Sequence, residues 1–462
     1  MADLREYPHL PDGFVFGAST ASYQVEGAVD EDGRGPSVWD RFCAEPGRIA
    51  DGSSGAVACD HYHRYPEDVA LMKGLGLDAY RFSISWSRIQ PEGRGRANAA
   101  GLAFYDRLLD ELLESGIAPM ATLFHWDLPQ PLEDDGGWLN RETAERFAEY
   151  ATLVGMRFAD RVAHWVPVNE PNVVTMLGYA TGIHAPGRRL MFGALPVAHH
   201  LLLGHGLAAD ALRSAGATSI GCANNHMPVW PATEAPDDHA AADLYDVLWN
   251  RVFSEPMLRG RYPEGFAELM PGPVAEDLAT IAAPLDFYGV NYYNPMRIAG
   301  PGTDLPSVDL VPAEGLPFVP VAIEGYPVTG FGWPVVPDGL REVLVQLRDE
   351  YRGALPPVFV TESGCAYDDE PDPSGAVHDP ERIAYLDAHL GAVAQAVAAG
   401  VDVRGYFTWS LIDNFEWAEG YTKRFGLVHV DYATQRRTPK DSFGWYRDRI
   451  AALHARSGRE TA

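Results

Sequence analysis

The sequence is poor in cysteine and in basic residues. Its 462 residues include only four cysteines, and their spacing matches neither a disulfide framework nor a zinc site. Lysine and arginine together number 36 against 64 aspartates and glutamates, which gives a formal net charge of -28. A nucleic-acid-binding surface is basic, so this balance excludes a nucleic-acid partner. Such acidity is typical of soluble proteins, and adaptation to salt is a second explanation.

Long apolar runs are also missing. No stretch of 18 apolar residues occurs, and residues 1–11 lack the apolar core of a signal peptide. We therefore expect no membrane partner, a cytoplasmic location and either a monomer or a homo-oligomer. No long Gly/Ser linker or charge block divides the chain, so we expect one domain over residues 1–462. Residues 301–337 are rich in proline and glycine and are interpreted as a loop insertion within it.

Short β-branched and aromatic runs alternate with amphipathic helical segments, which predicts a parallel sheet built from βα units. An open sheet of this kind usually carries a glycine-rich phosphate turn after its first strand, and none follows Gly17. Eight units without that turn favour an α/β fold of one (β/α)8 TIM barrel with long βα loops. The predicted strands are Phe14–Ser19, Asp78–Ser83, Ile117–Phe124, His164–Asn169, Thr218–Asn224, Asp286–Asn291, Pro357–Glu362 and Asp402–Trp409.

Unusual polar and aromatic residues stand at the carboxyl ends of six of these strands, where such barrels carry their catalytic groups. One such residue alone is usually a cap or a turn former. Six at equivalent ends of one barrel are hard to explain in that way. They are Arg81, His125 with Trp126, Asn169 with Glu170, Asn291 with Tyr293, Glu362, and Trp409.

Glu170 and Glu362 end the fourth and seventh strands, which lie opposite each other in a barrel. Two carboxylates facing one cavity suit glycoside hydrolysis, in which one group protonates the leaving oxygen and the other attacks the sugar carbon or activates water. A nucleophile must stay ionised, so Arg81 and Tyr293 are candidates to surround Glu362. Two simpler interpretations remain: Glu170 as the first residue of a helix, and Glu362 as a buried salt-bridge partner.

Tryptophans are the second indication of a sugar site. Trp126, Trp333, Trp409 and Trp417 fall in predicted loops and strand ends, although core packing explains many tryptophans equally well. Flat indole rings match the apolar C–H faces of sugar rings. Glu416 beside Trp417 offers a carboxylate for paired hydroxyls next to an indole N–H donor.

Seven segments of the chain resemble glycoside hydrolase family 1, in the order of that family, between residue 14 and about residue 446. The matching segments are residues 14–27 (FVFGASTASYQVEG), 80–88 (YRFSISWSR), 125–130 (HWDLPQ), 169–171 (NEP), 361–364 (TESG), 409–417 (WSLIDNFEW) and 420–427 (GYTKRFGL).

The resemblance implies a (β/α)8 barrel without cofactor or metal, whose partner is a small β-glycoside. It implies retaining, exo-acting hydrolysis of terminal β-D-glucosyl residues through a covalent glycosyl-enzyme. Glu170 would be the acid/base and Glu362 the nucleophile. Tyr293, Arg81 and Asn291 would support them. The substrate would contact Gln24, His125, Trp126, Asn169, Trp333, Trp409, Glu416, Trp417 and Phe425, with Trp409 as the stacking floor and Trp333 on the aglycone side.

Two positions depart from the family pattern. Ser363 stands where the nucleophile motif usually has Asn, and Val168 stands where Thr usually precedes Asn169. We expect Ser363 to tune the activity without abolishing it. We expect little effect from Val168, because its side chain points to the opposite face of its strand.

Two alternatives stay open: a sugar-binding pseudo-enzyme on the same barrel, and a 6-phospho-β-glycosidase. Glu416 and Phe425 argue against the second, although Lys423 alone would suit a phosphate. Side activity on β-galactosides or β-fucosides and transglycosylation are also expected.

Overall fold

The structure, a computed structural model, describes residues 10–308 and 316–456 of the chain. Its centre is a sheet of eight parallel strands, numbered β1 to β8 here in chain order. Their bounds are Val15–Ser19, Ala79–Ser83, Ala118–Phe124, His164–Val168, Gly221–Asn225, Phe287–Asn291, Val358–Ser363 and Val403–Trp409.

The strands follow the order β4-β3-β2-β1-β8-β7-β6-β5 around the sheet. Single bridges join Trp165 to Ile220 and Asn169 to Ala223, so β4 also meets β5 and the barrel closes. The predicted eight-stranded barrel is confirmed. The largest displacement is in β5, which begins at Gly221 and not at Thr218.

Helices surround the barrel and connect successive strands. The helix Ala99–Glu114 shows why they form: Asn98 caps its first turn, and Phe104 and Leu108 lie on its buried face. The longer helices are His61–Leu75, Ala99–Glu114, Glu142–Phe158, Leu195–Ser214, Pro236–Asp246, Val252–Arg259, Val274–Ile281, Pro337–Glu350, Pro380–Ala398 and Asp441–Arg456.

Short elements build the loops at the carboxyl end of the barrel. The short α-helices are Ser22–Val25, Val38–Cys43, Trp86–Ile89, Gln130–Asp134 and Pro171–Val173. The 3-10 turns are Gly137–Leu139, Met191–Ala194, Ala267–Leu269 and Trp417–Glu419, and the π-helical segments are Val174–Ala180 and Val247–Arg251. A two-stranded ribbon pairs Val428–Asp431 with Arg436–Pro439.

The predicted insertion at 301–337 belongs to this loop layer. Its strand Val319–Val321 pairs antiparallel with Met296–Ala299, which in turn pairs with Val229–Pro231. Residues 309–315 of the insertion lie outside the described part of the chain. The extent of the domain over residues 1–462 stays a prediction.

No helix among the described residues combines the length and apolarity needed to cross a membrane.

Aromatic rings fill part of the barrel interior. Phe287, Phe359 and Phe407 pack there in one buried cluster. A Cβ atom at Gly17 would overlap the ring of Phe407, and one at Gly405 would overlap the ring of Phe359. Glycine on the neighbouring strand therefore makes the space that each ring occupies, and the filled interior supports the carboxyl ends of the strands.

This packing predicts a strong effect of Phe407→Ala on stability. Removing a fully buried ring leaves a cavity, and we expect the free energy of unfolding to fall by about 3–5 kcal/mol. The matched control is Leu113→Ala, since Leu113 is 43% exposed. That control should change the free energy of unfolding by less than about 0.5 kcal/mol. Urea denaturation followed by circular dichroism measures both, and equal losses would contradict this account of the barrel interior.

Candidate active site

Two buried carboxylates occupy opposite strand ends. Glu170 lies two residues after the end of β4, and Glu362 is the penultimate residue of β7. Both side chains are almost completely buried. Because β4 and β7 stand on opposite sides of the closed sheet, both carboxylates face the cavity at the carboxyl end of the barrel.

Glu362 is held by a cation and a phenol. Arg81 donates from Nη1 to Oε1 over 2.5 Å, and the Tyr293 hydroxyl donates to Oε2 over 2.7 Å. The structure thus brings both residues to Glu362, as the sequence indicated. Burial raises the pKa of Glu362 above its usual value, and the charge of Arg81 and the Tyr293 hydrogen bond offset part of that rise. This carboxyl has the partners that stabilise an ionised group.

Among the described residues, the hydrogen-bond partners of Glu170 are neutral amides. Asn291 donates from Nδ2 to Oε1 over 2.8 Å, and Asn225 donates to the same oxygen over 3.1 Å. Burial first, and the charge of Glu362 second, raise the pKa of Glu170. The two carboxyls therefore differ in the way that acid catalysis requires: Glu170 retains a proton more readily than Glu362.

A hydrogen-bonded chain fixes these orientations. Thr361 Oγ1 donates to Asn291 Oδ1 over 2.6 Å, which turns the Asn291 amide nitrogen toward Glu170. Asn169 Oδ1 accepts from Arg81 Nη2 at 2.5 Å and from Asn291 Nδ2 at 3.1 Å. Asn169 Nδ2 lies 3.1 Å from Nε2 of His125. Five strand ends, those of β2, β3, β4, β6 and β7, are coupled through these side chains.

Asn225 was not singled out from the sequence. It ends β5 and holds Glu170, while its Oδ1 accepts from the indole of Trp249 at 3.1 Å. The rule that polar residues at strand ends mark the site would have found it, since the sequence there reads Asn224-Asn225-His226. Only the fold shows that Asn225 is close to Glu170.

A second polar group lies at the end of the barrel near β1 and β8. Gln24 Nε2 donates to Asn414 Oδ1, to the Phe415 carbonyl and, over 3.3 Å, to Glu416 Oε2. Gln24 Oε1 is buried and receives no hydrogen bond from the described residues, so it can accept one from a ligand. Burial, with the charges of Glu362 and Glu419, raises the pKa of Glu416 to about 8.

Aromatic rings form the walls around these groups. His125 lies nearly parallel to Trp409, with ring centroids 5.8 Å apart, and Trp126 approaches Trp417 to 4.6 Å. On the other side, Trp333 stacks on Phe331 at 4.3 Å, and Phe425 lies against both of them and against Tyr293.

Three residues that line the cavity have strained backbone. Trp126, Glu170 and Trp417 all have positive φ, at 76°, 46° and 51°. A non-glycine residue in this region costs on the order of 1–3 kcal/mol and persists only where its surroundings hold it. The Glu170 amide donates to the Ala223 carbonyl over 2.7 Å, and the Trp126 indole donates to the Asn169 carbonyl over 3.2 Å.

The cavity enclosed by these groups has a volume of about 500 Å³. Most of the residues predicted from the sequence line it: Glu170, Glu362, Tyr293, His125, Trp126, Trp333, Trp409, Glu416, Trp417 and Phe425. Arg81, Asn291, Gln24 and Asn169 lie behind these side chains and act on them through hydrogen bonds. No lysine or arginine is among the described residues that line it.

Ser363, the departure from the family motif, lies behind the site. Its hydroxyl is 3.2 Å from that of Tyr385. Among the described residues, no group of three or more His, Cys, Asp or Glu side chains is arranged to hold a metal ion.

Comparisons with known proteins agree with a site for glycoside hydrolysis. A sequence model of glycosyl hydrolase family 1 matches residues 6–454. Thermostable β-glucosidase B of Thermobispora bispora is 50% identical, covering 97% of this chain and 92% of its own. The bifunctional β-D-glucosidase/β-D-fucosidase of Bifidobacterium breve is 45% identical, covering 97% of this chain and 99% of its own. The family 1 β-glucosidase of Thermotoga maritima in complex with isofagomine lactam superposes with a TM-score of 0.91, at 43% identity, over 97% of this chain and all of that one.

The coupling between the two carboxyls predicts the effect of Glu362→Gln. Removing the negative charge of Glu362 leaves Arg81 uncompensated, and both changes favour the ionised form of Glu170. We expect the pKa of Glu170 to fall, measured by ¹³C NMR of the carboxyl carbons, with Glu170→Gln identifying the signal. Glu419→Gln is the control, since it removes a charge that acts on Glu416. An unchanged pKa of Glu170 in Glu362→Gln would contradict the coupling.

Proposed function

This chain belongs to glycosyl hydrolase family 1 and is a β-glucosidase, and from that premise we propose how it works. We propose that it removes terminal, non-reducing β-D-glucosyl residues from β-glucosides and short β-linked oligosaccharides, with retention of configuration. The observation that carries this proposal is the unequal environment of two opposed carboxyls. Glu362 has a cation and a phenol as partners, and Glu170 has two neutral amides.

In the first step, Glu170 gives its proton to the glycosidic oxygen while the Glu362 carboxylate attacks the anomeric carbon. The bond to the leaving group breaks, and an ester between the sugar and Glu362 forms. That ester removes the charge of Glu362, so one of the two causes of the raised pKa of Glu170 disappears. Glu170 is then ionised and suited to act as a base.

In the second step, Glu170 takes a proton from water, the water oxygen bonds to the anomeric carbon, and the ester to Glu362 breaks. Both sites return to their starting protonation states. A sugar hydroxyl in place of water gives transglycosylation by the same route.

The polar residues around Gln24 and Glu416 would bind the hydroxyls of the terminal sugar. Gln24, His125, Asn169, Glu416 and Trp417 supply donors and acceptors in this reading, and Trp409 supplies the stacking floor. A β-D-fucoside lacks the 6-hydroxyl and carries an axial 4-hydroxyl, but it keeps the 2- and 3-hydroxyls and the anomeric centre of a glucoside, which supports side activity on β-fucosides. The relative from Bifidobacterium breve is named for that combination.

A sugar-binding pseudo-enzyme would need neither the proton-retaining setting of Glu170 nor the ion pair of Glu362. The cytoplasmic location, the oligomeric state and the single-domain organisation stay predictions from the sequence.

A phosphorylated sugar is the second alternative, and the charges of the site disfavour it. The cavity lining contains four glutamates and no cation among its described residues. Lys423 donates to the Gly330 carbonyl over 2.8 Å and lies over the ring of Phe331. Its ammonium group is therefore already bonded within the protein, at the wall of the cavity that Phe331 forms. Phe425 has no hydroxyl to offer a phosphate.

The roles of the two glutamates predict opposite products when azide is added. In Glu362→Ala, azide enters the space of the missing nucleophile and attacks the anomeric carbon directly, so an α-glycosyl azide should form. In Glu170→Ala, a dinitrophenyl glucoside still forms the ester without acid assistance, and azide then opens it to a β-glycosyl azide. NMR of the products distinguishes the two anomers, and the wild-type enzyme should release β-glucose first. The same azide anomer from both variants would overturn the assignment.

Selectivity against phosphate is the next prediction. One pair of like unit charges 4 Å apart costs about 4 kcal/mol at an effective dielectric of 20. We expect kcat/KM for p-nitrophenyl β-glucoside to exceed that for its 6-phosphate by at least about 100-fold, which corresponds to about 2.7 kcal/mol. Steady-state kinetics on the two substrates measures the ratio. Comparable rates would move the enzyme to the other substrate class.

A further inference from the structure

A second apolar cavity adjoins the active-site cavity. Its volume is about 370 Å³, and it lies between the start of helix Leu195–Ser214 and the helical segment 236–251. Three residues, Phe192, Leu195 and Leu248, line both cavities. The two cavities therefore adjoin across these three side chains, and the second is referred to below as the outer groove.

The outer groove is lined by side chains without a single polar atom. They are Phe192, Gly193, Leu195, Pro196, Leu244, Leu248, Phe266 and Leu269. A sugar unit needs donors and acceptors for its hydroxyls, and these side chains provide none. The groove therefore matches an apolar ligand and not a longer oligosaccharide.

The part of the active-site cavity that leads to the groove has few polar groups left for a second sugar. Thr175 and Thr181 donate their hydroxyls to the Pro171 and Met176 carbonyls. The Asn225 amide is engaged with Glu170 and with Trp249. These three polar side chains are thus bonded within the protein, whereas Trp249, Phe318 and Leu248 present apolar surface.

Large apolar side chains remain exposed along this path. Met191 is 38% exposed, Phe192 is 48% exposed, and Leu269 is 54% exposed. Exposed apolar residues that adjoin one another around a groove usually mark a binding surface, because burying them in a complex is favourable. Here they adjoin the catalytic cavity, which favours a part of the substrate as the occupant.

We propose that the outer groove binds the distal part of an extended apolar aglycone. The substrates favoured by this enzyme are then amphiphilic β-glucosides, in which the sugar lies between Glu170 and Glu362. The aglycone passes Phe192 and Leu248 and ends against Leu269. This inference rests on the proposed function, since it needs the sugar at the two glutamates.

The test uses alkyl β-glucosides from methyl to decyl, each below its micelle concentration, and measures kcat/KM for each chain length. Burial of one methylene is worth a factor of up to about four, so we expect kcat/KM to rise about two- to fourfold per carbon along the groove. Leu269→Glu places a carboxylate in the outer groove and should lower the decyl-to-methyl ratio of kcat/KM at least fivefold. Leu113→Glu is the matched control, because Leu113 lies on a helix away from both cavities and is 43% exposed. It should leave the ratio as in the wild type.

Three results would overturn the proposal, and they differ from one another. A decyl-to-methyl ratio that Leu269→Glu leaves unchanged would separate the groove from the substrate while the β-glucosidase function stands. A ratio that stays unchanged while sedimentation shows loss of a dimer would assign the groove to a second copy of the chain. Absence of hydrolysis for every alkyl glucoside and for p-nitrophenyl β-glucoside would remove the proposed function as well. A thermal melt of Leu269→Glu similar to that of the wild type excludes misfolding as the cause of a lower ratio.

Discussion

The buried guanidinium of Arg81 determines how the rest of the site is arranged. Only 1% of Arg81 is exposed, so its charge has lost nearly all contact with water and needs partners on every side. Glu362, Asn169 and Thr122 supply them. These partners come from three other strands, and one cation thereby joins four of the eight strands at their carboxyl ends. It also decides which carboxylate is ionised, because it contacts Glu362 directly and reaches Glu170 only through neutral amides.

Much of this arrangement could be predicted from the sequence because parallel βα units leave few choices. Once eight strands are recognised, their carboxyl ends must meet around one cavity, and Arg81, Glu170 and Glu362 stand at such ends. The strand positions followed from short β-branched runs between amphipathic helices. β5 was the least accurate of them, since the β-branched residues Thr218 and Ile220 favour an earlier start, whereas the strand begins at Gly221.

The remaining features depend on contacts between loops far apart in the sequence. Asn225 acts on Glu170 only because β5 closes the barrel against β4, and no local pattern reports that contact. The protonation of Glu416 is a second example. The sequence predicts an ionised carboxylate beside sugar hydroxyls, whereas burial near Glu362 and Glu419 raises its pKa to about 8. The outer groove likewise forms only where three segments far apart in the sequence meet, namely 192–196, 244–248 and 266–269.

The glycines that make room for the barrel rings have a consequence for how this family of sequences can diverge. The ring of Phe407 fills the space that a side chain at position 17 would need, and the ring of Phe359 does the same for position 405. A larger residue at the glycine is tolerated only after the ring has become smaller, and a smaller ring alone leaves a void. Each pair must therefore change in a fixed order through a less stable intermediate. In homologous chains, a larger residue at one position of a pair should accompany a smaller residue at the other. The paired positions inside the barrel should therefore evolve more slowly than the other residues of the same strands.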